Sequence, residues 1–328
     1  MKTIRMRAEV RRALLALLAL AVFWACGAAA ETVRGDLTGR FEEEPVLERD
    51  GRLYRYRRGL TTILLVGVDT TQEEEALAEG ARSGGQSDFL MLLVLDNRRE
   101  TITPIQIDRD TMAEITVLGV LGDAAGTLTT QLCLQHGFGD GGEESCELTR
   151  EAVSALMLGV EIDYYVAVNM DGISMLNDLV GGVTVTVSDD LSALDAAMVP
   201  GATLTLNGEQ AETFVRARRS VGDGTNASRM ARQRVYLSAL AEQMLACMDA
   251  DGGFIGDVFD EMQPVMVTDM KRGTMINVAW RARDYAREEV CALEGEHVVG
   301  ADGHMEFYAD ADALEALVAR VFYEEAAD

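Results

Sequence analysis

The chain has 328 residues and is strongly acidic: 55 aspartates and glutamates face 29 lysines and arginines, giving a formal net charge of −26. A protein with this charge repels a phosphate backbone, so nucleic-acid binding is excluded as a main function. The three histidines lack metal-ligand spacing and are expected at the surface, and no CxxC pair supports structural zinc.

The N-terminus combines an arginine-rich flank with an uncharged apolar run over residues 13–30. At about 1.5 Å per helical residue this run spans about 27 Å, close to the thickness of a hydrocarbon core. Basic residues before the run orient everything after Glu31 away from the cytoplasm. We predict a single-pass anchor over residues 1–30, a cell-membrane location and an extracytoplasmic body. A signal peptide cleaved after Ala30 and a lipid-modified Cys26 are the alternatives.

The remaining chain is predicted to contain a stalk, one large domain and an extension. Residues 31–59 are charged and form the stalk. In the domain, residues 60–250, apolar runs predict strands at 61–68, 88–95, 101–107, 164–168 and 183–187. Helices are predicted at 148–158, at 173–180, after an N-cap at Asn207, and at 227–248. Residues 251–328 form an extension packing on the domain, with a hairpin (296–299 with 304–308) and a last helix (310–323). Interleaved strands and helices predict an α/β fold around a central sheet.

Four cysteines follow Cys26, an even number that suits an oxidising compartment. Cys133 and Cys146 flank a Gly-rich loop, and a disulfide closing a loop of that size contributes about 3 kcal/mol in the chain-entropy model. We therefore expect this disulfide and a second between Cys247 and Cys291, although the sequence alone leaves three pairings open.

Charged residues stand at the ends of the predicted strands. Asp69 follows the first strand, Asp88 begins the second and Arg109 follows the third. Strand ends at one edge of an α/β sheet are where ligand sites concentrate, and two carboxylates suit a hard cation such as Mg²⁺. Turn or cap roles are the alternative for the aspartates, and an ion pair with Asp108 or Asp110 is the alternative for Arg109.

Six arginines fall within nineteen positions: Arg216, Arg218, Arg219, Arg229, Arg232 and Arg234. Guanidinium groups match phosphate oxygens, so the run favours an anion site, and a solvated helix face is the alternative. Arg216 and Arg218 share a face only in extended chain, so the helix before them is expected to end near Phe214. Arg229 and Gln233 share a helix face. The other three arginines are expected to be solvated or paired with acids.

Taken in order, these motifs resemble the LytR-CpsA-Psr family of cell-wall glycopolymer ligases. The similarity covers about residues 60–245 and is carried by Leu65-Val66-Gly67-Val68-Asp69, Ser87-Asp88, Arg109-Asp110-Thr111, the segments 162–166, 169–172, 179–183, 206–211 and 215–218, and Arg229 with Gln233.

The resemblance implies an α/β/α fold, with helices on both sheet faces, and a membrane-anchored phosphotransferase. Such an enzyme moves a glycopolymer from a polyprenyl pyrophosphate carrier to peptidoglycan at the cytoplasmic membrane. It also implies Asp69, Asp88 and Arg109 as catalytic residues, with Mg²⁺ held by the two aspartates and the lipid chain in an apolar tunnel between sheet and helices. The implied pyrophosphate pocket is lined by Arg109, Arg216, Arg218, Arg229 and Gln233.

One position departs from this pattern. Family members commonly carry arginine two residues before the second aspartate, where this chain has Gln86. Gln86 still donates hydrogen bonds to a pyrophosphate but brings no charge. Two alternative functions therefore stay open: a hydrolase that uses water as the acceptor in the same site, and a non-catalytic protein that binds lipid or glycan.

Overall fold

A computed structural model describes residues 46–49, 52–77, 84–119, 122–218, 221 and 224–326. The predicted anchor over residues 1–30 lies outside these ranges. Among the described residues, no helix has both the length and the apolar character needed to cross a bilayer. The chain divides into two units, one made of residues 1–56 with 325–328 and the other of residues 57–324.

The smaller unit contains a hairpin in the segment predicted as a stalk. Strand β1 (Val46–Arg49) pairs antiparallel with β2 (Arg52–Tyr56). The amide of Ala326 donates to the Leu53 carbonyl at 2.8 Å, and Arg52 lies 3.5 Å from the Glu325 carboxylate. Both charged side chains are more than half exposed, so this ion pair contributes little stability.

The larger unit contains every strand and helix predicted for residues 60–250, most of them with shifted ends, together with elements that were not predicted. In chain order the elements are β3 (Leu60–Val68), α1 (Gln72–Leu77), β4 (Ser87–Asp96), β5 (Thr101–Ile107), β6 (Met112–Leu118), β7 (Ala124–Gln131), α2 (Leu134–Gly137), α3 (Glu143–Leu156), β8 (Tyr164–Val168), α4 (Met170–Leu179), β9 (Val183–Thr186), β10 (Thr203–Leu206), α5 (Gly208–Arg216), α6 (Asn226–Ala250), α7 (Phe254–Met262), a 3-10 turn (Gln263–Val265), β11 (Met266–Thr268), α8 (Arg272–Ala282), β12 (Ala286–Arg287), β13 (Cys291–Ala292), β14 (Gly295–Val299), β15 (Met305–Ala309) and α9 (Ala311–Phe322). The last strand, β16 (Tyr323–Glu325), ends in a residue of the smaller unit.

The central sheet is mixed and has the order β11-β8-β3-β4-β5-β12, with β13 also pairing with β5. Strands β3, β4 and β5 are antiparallel neighbours, whereas β8 runs parallel to β3. Both edges come from the segment predicted as an extension: β11 pairs with β8 on one side, and β12 and β13 pair with β5 on the other. Residues 251–324 are thus hydrogen-bonded into the sheet instead of only packing on it.

The two faces of this sheet differ in burial. Successive side chains alternate between faces. One face is fully buried and includes Leu64, Val66, Leu90, Leu92, Ile105, Ile107, Tyr165 and Ala167. On the other face, Ile63 and Leu95 are buried with Met270. Around them Leu65, Leu93, Ile102, Tyr164 and Val166 are only partly buried, as are the α8 residues in the same cluster. Arg150 of α3 lies 5.9 Å over the Tyr165 ring. Helices therefore contact both faces, and one face leaves apolar surface partly open.

The start of α5 shows why the chain turns helical where predicted. The Asn207 side chain accepts a hydrogen bond from the Gln210 amide at 2.9 Å, and the Gln210 side chain accepts one from the Asn207 amide at 3.2 Å. This reciprocal arrangement is a capping box and satisfies two amides that the first helical turn leaves unpaired. The predicted N-cap is confirmed. The apolar face of α5, with Phe214 and Val215, packs into a buried cluster with β9 and α6.

The predicted disulfides are wrong. Cys133, Cys146, Cys247 and Cys291, the cysteines of the described residues, are all free thiols. Cys133 precedes α2 and its sulfur contacts the Arg109 guanidinium at 3.1 Å. Cys146 lies inside α3, with its sulfur 3.9 Å from His136 Nε2. The Gly-rich loop between them is held by Ser145, whose hydroxyl donates to the His136 carbonyl at 2.7 Å and accepts from the Gly141 amide at 2.8 Å.

Candidate functional site

Asp69 and Asp88 come together because β3 and β4 are paired at the ends that carry them. The last register pair of these strands joins Val68 to Ser87, after a bulge. The Asp69 amide donates to the Gln86 carbonyl at 3.0 Å, and the Gln86 amide donates to Asp69 Oδ1. A side chain at Gly85, whose φ is +71°, would come within 3.2 Å of the Asp69 carboxylate and closer still to Thr70. Glycine there lets the loop approach Asp69 closely.

Two arginines from distant segments hold the Asp88 carboxylate. Arg229 of α6 places Nη1 2.9 Å from Asp88 Oδ2, and Arg109, after β5, pairs with Asp88 Oδ1. The Arg109 side chain is 14% exposed and that of Arg229 is 6% exposed. Both guanidinium groups are therefore ordered and largely removed from water. Asp88 is thus the shared partner of two arginines.

A second carboxylate, Asp110, extends the cluster. Its Oδ1 lies 3.3 Å from Arg109 Nε, and its Oδ2 lies 4.0 Å from Arg218 Nη2. Burial, followed by the nearby charge of Asp108, raises the pKa of Asp110. Burial, followed by repulsion from Arg109 and Arg218, lowers the pKa of Arg229 to about 10. The three arginines are close enough to repel one another, and guanidinium groups are donors that match phosphate oxygens.

Gln86, the position that departs from the family pattern, contacts Arg109. Its Oε1 accepts a hydrogen bond from Arg109 Nη2, the same nitrogen that contacts the Cys133 sulfur. Gln86 therefore orients the arginine of the cluster by accepting from it. This acceptor role was not predicted, since the sequence interpretation treated Gln86 as a donor to the pyrophosphate.

Arg216 and Gln233 do not join these contacts. Helix α5 runs to Arg216, two residues beyond the predicted end, so Arg216 lies in its last turn and pairs with Glu212. The expected extended segment begins at Ala217, and only Arg218 reaches Asp110. Gln233 is buried and bonded to the Val215 carbonyl and to Gln106, at 3.4 and 3.3 Å. It ties α6 to α5 and β5 instead of facing the carboxylates.

The remaining arginines of the run have different surroundings. Arg232 pairs with Asp189, as expected, but its side chain is 1% exposed and it also donates to the Phe214 and Ala217 carbonyls. It fixes the chain between α5 and Arg218. Arg234 donates to Gln106 at 2.7 Å. Arg219 lies outside the described residues.

Four residues near the site were not predicted to belong to it: Asn226, Asp108, His136 and His297. Asn226 accepts from Arg229 Nε and Nη2 at 3.1 and 2.7 Å, and it donates to Asp108 at 2.7 Å. His297 lies 2.9 Å from Asp108. His136 is buried, with Nδ1 2.6 Å from the Gly84 carbonyl, and burial lowers its pKa. The expected surface location is wrong for His136. Only the position of Asp108 beside Arg109 could have pointed to this network.

The carboxylates fit a magnesium ion only together with a phosphate ligand. No group of three or more His, Cys, Asp or Glu side chains suited to a metal occurs among the described residues. Mg²⁺ is, however, commonly bound by one or two carboxylates plus substrate phosphates. Asp69 and Asp88 supply that number of carboxylates. The donor set is compatible with Mg²⁺ once phosphate oxygens complete it.

Fold and site define a mixed α/β protein with a cluster of arginines and carboxylates at the ends of strands of the central sheet. The LytR_cpsA_psr family model matches residues 38–321, and the chain belongs to this LytR-CpsA-Psr family. The match also takes in most of the segment that sequence interpretation treated as an extension.

Curated relatives support the family assignment. The chain is 27% identical over 249 residues to the polyisoprenyl-teichoic acid–peptidoglycan teichoic acid transferase TagU of Bacillus anthracis, covering 75% of this chain and 73% of that protein. It is 31% identical over 212 residues to the cell wall biosynthesis protein LcpA of Corynebacterium glutamicum, covering 57% of this chain and 40% of that protein. The family relationship and the names of these relatives support a transferase activity in cell-wall assembly.

Solved structures show the same fold. Protein gbs0355 from Streptococcus agalactiae superposes with a TM-score of 0.66 at 24% identity, covering 80% of this chain and 86% of that one. A structure described as TagT bound to LI-WTA has a TM-score of 0.61 at 20% identity, covering 86% of this chain and 96% of that one. At these identities the likeness establishes the fold alone.

Proposed function

We propose that this protein is a Mg²⁺-dependent phosphotransferase that moves a glycopolymer from a polyprenyl pyrophosphate carrier to peptidoglycan. In this proposal it acts at the outer face of the cytoplasmic membrane, anchored by residues 1–30. The observation that carries the proposal is the convergence of Arg109, Arg218 and Arg229 on Asp88 and Asp110. A pyrophosphate carries several negative charges, and buried guanidinium groups are the side chains best suited to it.

The partly open sheet face supports a lipid-linked donor. Leu65, Leu93 and Val166 line it, and α8, which covers it, has no fully buried residue. In an ordinary core both sides of such a contact are buried. An apolar face left partly open on the sheet that carries the anion site suits a polyprenyl chain, whose burial is favoured by about 25 cal/mol per Å².

The proposed reaction transfers the phosphate that carries the glycopolymer to a hydroxyl group of peptidoglycan. A sugar hydroxyl of peptidoglycan attacks the phosphorus next to the glycopolymer, and the bond from that phosphorus to the bridging oxygen breaks. Polyprenyl phosphate leaves with the bridging oxygen. Arg109, Arg218 and Arg229 stabilise the negative charge that develops on the phosphate oxygens. Asp69, whose carboxylate is held by a backbone amide instead of an arginine, takes the hydroxyl proton. Asp69 and Asp88 would hold Mg²⁺, which would supply neutralisation of the pyrophosphate charge.

The test uses the full-length chain in detergent micelles with Mg²⁺, a polyprenyl pyrophosphate-linked sugar and peptidoglycan fragments, followed by mass spectrometry. We expect a sugar-phosphate adduct on peptidoglycan that disappears in Arg109→Ala. Free sugar phosphate without an adduct would indicate a hydrolase. An unchanged carrier that nevertheless binds would indicate a non-catalytic binding protein. Omitting Mg²⁺ should abolish adduct formation, and activity without any divalent cation would contradict the metal requirement.

A further inference from the structure

The hairpin formed by β14 and β15 contacts the turn that carries Arg109. The Phe307 amide donates to the Asp110 carbonyl at 2.8 Å, and Thr111 forms a parallel bridge with Phe307. The Gln131 side chain donates to the Met305 carbonyl at 2.7 Å, which fixes β15 beside β7. A hairpin late in the chain therefore supports the turn between β5 and β6.

His297 is the side chain through which this hairpin contacts the polar network. Its Nε2 lies 2.9 Å from Asp108 Oδ2, and its ring lies 4.7 Å from the Phe307 ring, centroid to centroid. The Asp108 side chain is 6% exposed, whereas that of His297 is 38% exposed. The histidine thus shields one oxygen of a buried carboxylate from solvent and donates a hydrogen bond to it.

Asp108 in turn fixes the orientation of Asn226. Asp108 Oδ1 accepts from Asn226 Nδ2 at 2.7 Å and from the Asp110 amide at 2.9 Å. A side-chain amide has a donor end and an acceptor end. Because Nδ2 points to Asp108, Oδ1 points to Arg229, which donates to it from Nε and Nη2. If the amide rotated, its NH₂ group would face the guanidinium and the two would repel.

We propose that His297 is a positioning residue for Arg229, acting through Asp108 and Asn226. His297 holds Asp108, Asp108 holds the Asn226 amide, and the amide aims the Arg229 guanidinium at Asp88. The inference rests on the proposed function in one respect, namely that Arg229 binds the pyrophosphate. The alternative is that His297 only attaches the hairpin to the domain.

The variants are chosen to separate these roles. His297→Ala removes the donor, whereas His297→Gln keeps an NH₂ group near the position of Nε2. His304→Ala is the matched control, because His304 is the exposed histidine in the turn of the same hairpin. In the adduct assay we expect His297→Ala to lower kcat about tenfold, the size typical of a coupled polar contact. His297→Gln should recover most of that loss, and His304→Ala should match the wild type.

A double-variant measurement excludes a merely structural role. If His297 acts through Asp108, His297→Ala should change the rate less than about twofold in an Asp108→Asn background. A full tenfold loss in that background would overturn the proposal. So would equal losses in His297→Ala and His297→Gln, or a His297→Ala variant with lowered thermal stability and unchanged kcat.

A spectroscopic measurement tests the link independently of activity. The Nε–H of Arg229 is buried and bonded to Asn226, so its ¹⁵N–¹H signal, assigned by its loss in Arg229→Lys, reports on the guanidinium position. We expect this signal to shift in His297→Ala and to stay in place in His304→Ala. An unmoved signal in His297→Ala overturns the positioning role. If the wild type forms no adduct but the signal shifts, the proposed function fails and the positioning role stands.

Discussion

Arg229 Nη1 lies 2.9 Å from Asp88 Oδ2, although 141 residues separate the two in sequence. The contact joins the first turn of α6 to the start of β4. Since Arg109 pairs with the other oxygen of the same carboxylate, Asp88 acts as a shared counterion for two buried cations. An incoming phosphate can take over part of that role, which makes the pair a suitable starting point for binding an anion.

Replacing Arg229 by alanine should strongly reduce transfer. Loss of one preorganised donor to a developing negative charge typically costs about 10²–10³-fold in kcat. We therefore expect a loss of about that size in the adduct assay with Arg229→Ala. Arg216→Ala is the matched control, because Arg216 is half exposed and paired with Glu212. It should retain activity within about twofold, as expected for a surface ion pair. Equal losses in both variants would contradict the division of the arginine run described above.

Neutralising Asp88 should lower the free energy of unfolding. It should also increase the stabilisation that pyrophosphate gives to the folded protein. Asp88→Asn leaves Arg229 without its ion-pair partner and Arg109 with Asp110 alone, and removing one partner of such a buried pair costs about 3 kcal/mol or more. Pyrophosphate can replace the lost charge, so its binding should restore part of that stability. Urea unfolding with and without inorganic pyrophosphate measures both effects.

Asp69→Asn is the control for this experiment. The Asp69 carboxylate accepts a hydrogen bond from the Gln86 amide, which the asparagine carbonyl can also accept. Its loss of stability should therefore be smaller, and pyrophosphate should stabilise it about as much as the wild type. A pyrophosphate effect no larger in Asp88→Asn than in the wild type would show that the arginines do not bind this anion.

The predicted residues that the structure brings together are those set by local pattern. Asp69, Asp88 and Arg109 follow from strand ends, because apolar runs mark the strands and polar residues mark where they stop. Arg218 and Arg229 followed from charge clustering in an acidic chain. Arg216 shows the limit of this reasoning. Helix α5 ends two residues later than predicted, so Arg216 is helical and its side chain pairs with Glu212.

Other features depend on contacts that no local pattern encodes. Strands β12 and β13 have two residues each, too short for any periodicity, and they are strands only because β5 offers an unpaired edge. The link from His297 to Asp108 joins residues 189 apart. The spacing of Cys133 and Cys146 suggested a disulfide, but the thiol of one faces Arg109 and that of the other faces His136.

The free thiols can be checked by their reactivity. Cys133 and Cys146 are fully buried, and burial raises both pKa values, that of Cys146 to about 12. The reactive thiolate is therefore disfavoured in the folded protein. Alkylation with iodoacetamide at pH 8 should modify the partly buried Cys247 and Cys291 first, while Cys133 and Cys146 react only after unfolding. A peptide linking Cys133 to Cys146 in a non-reducing digest would contradict the structure.

The same pKa shift predicts how stability changes with pH. An unfolded cysteine has a pKa of about 8.5. Folding raises the pKa of Cys146 to about 12. The stability that the neutral thiol contributes is therefore complete below the unfolded pKa and is lost as pH rises from there toward the folded pKa. Urea unfolding at pH 7.5 and pH 10.5 should therefore show a smaller loss of stability for Cys146→Ala than for the wild type. Cys291→Ala, at a partly exposed site, is the control and should follow the wild type.

The C-terminal segment should be indispensable for folding, because β11 and β12 form the two edges of the central sheet. A chain that ends at Ala250 would leave β8 and β5 with unpaired edges, which favour aggregation. A milder test is Val267→Pro, since Val267 pairs with Ala167 in the middle of β11 and proline cannot donate to the ladder. We expect insoluble protein from the truncation and clearly lowered thermal stability from Val267→Pro. Val299→Ala, at a 64% exposed position of β14, should leave stability unchanged. A soluble, cooperatively folding chain ending at Ala250 would show that the strands after residue 250 are dispensable.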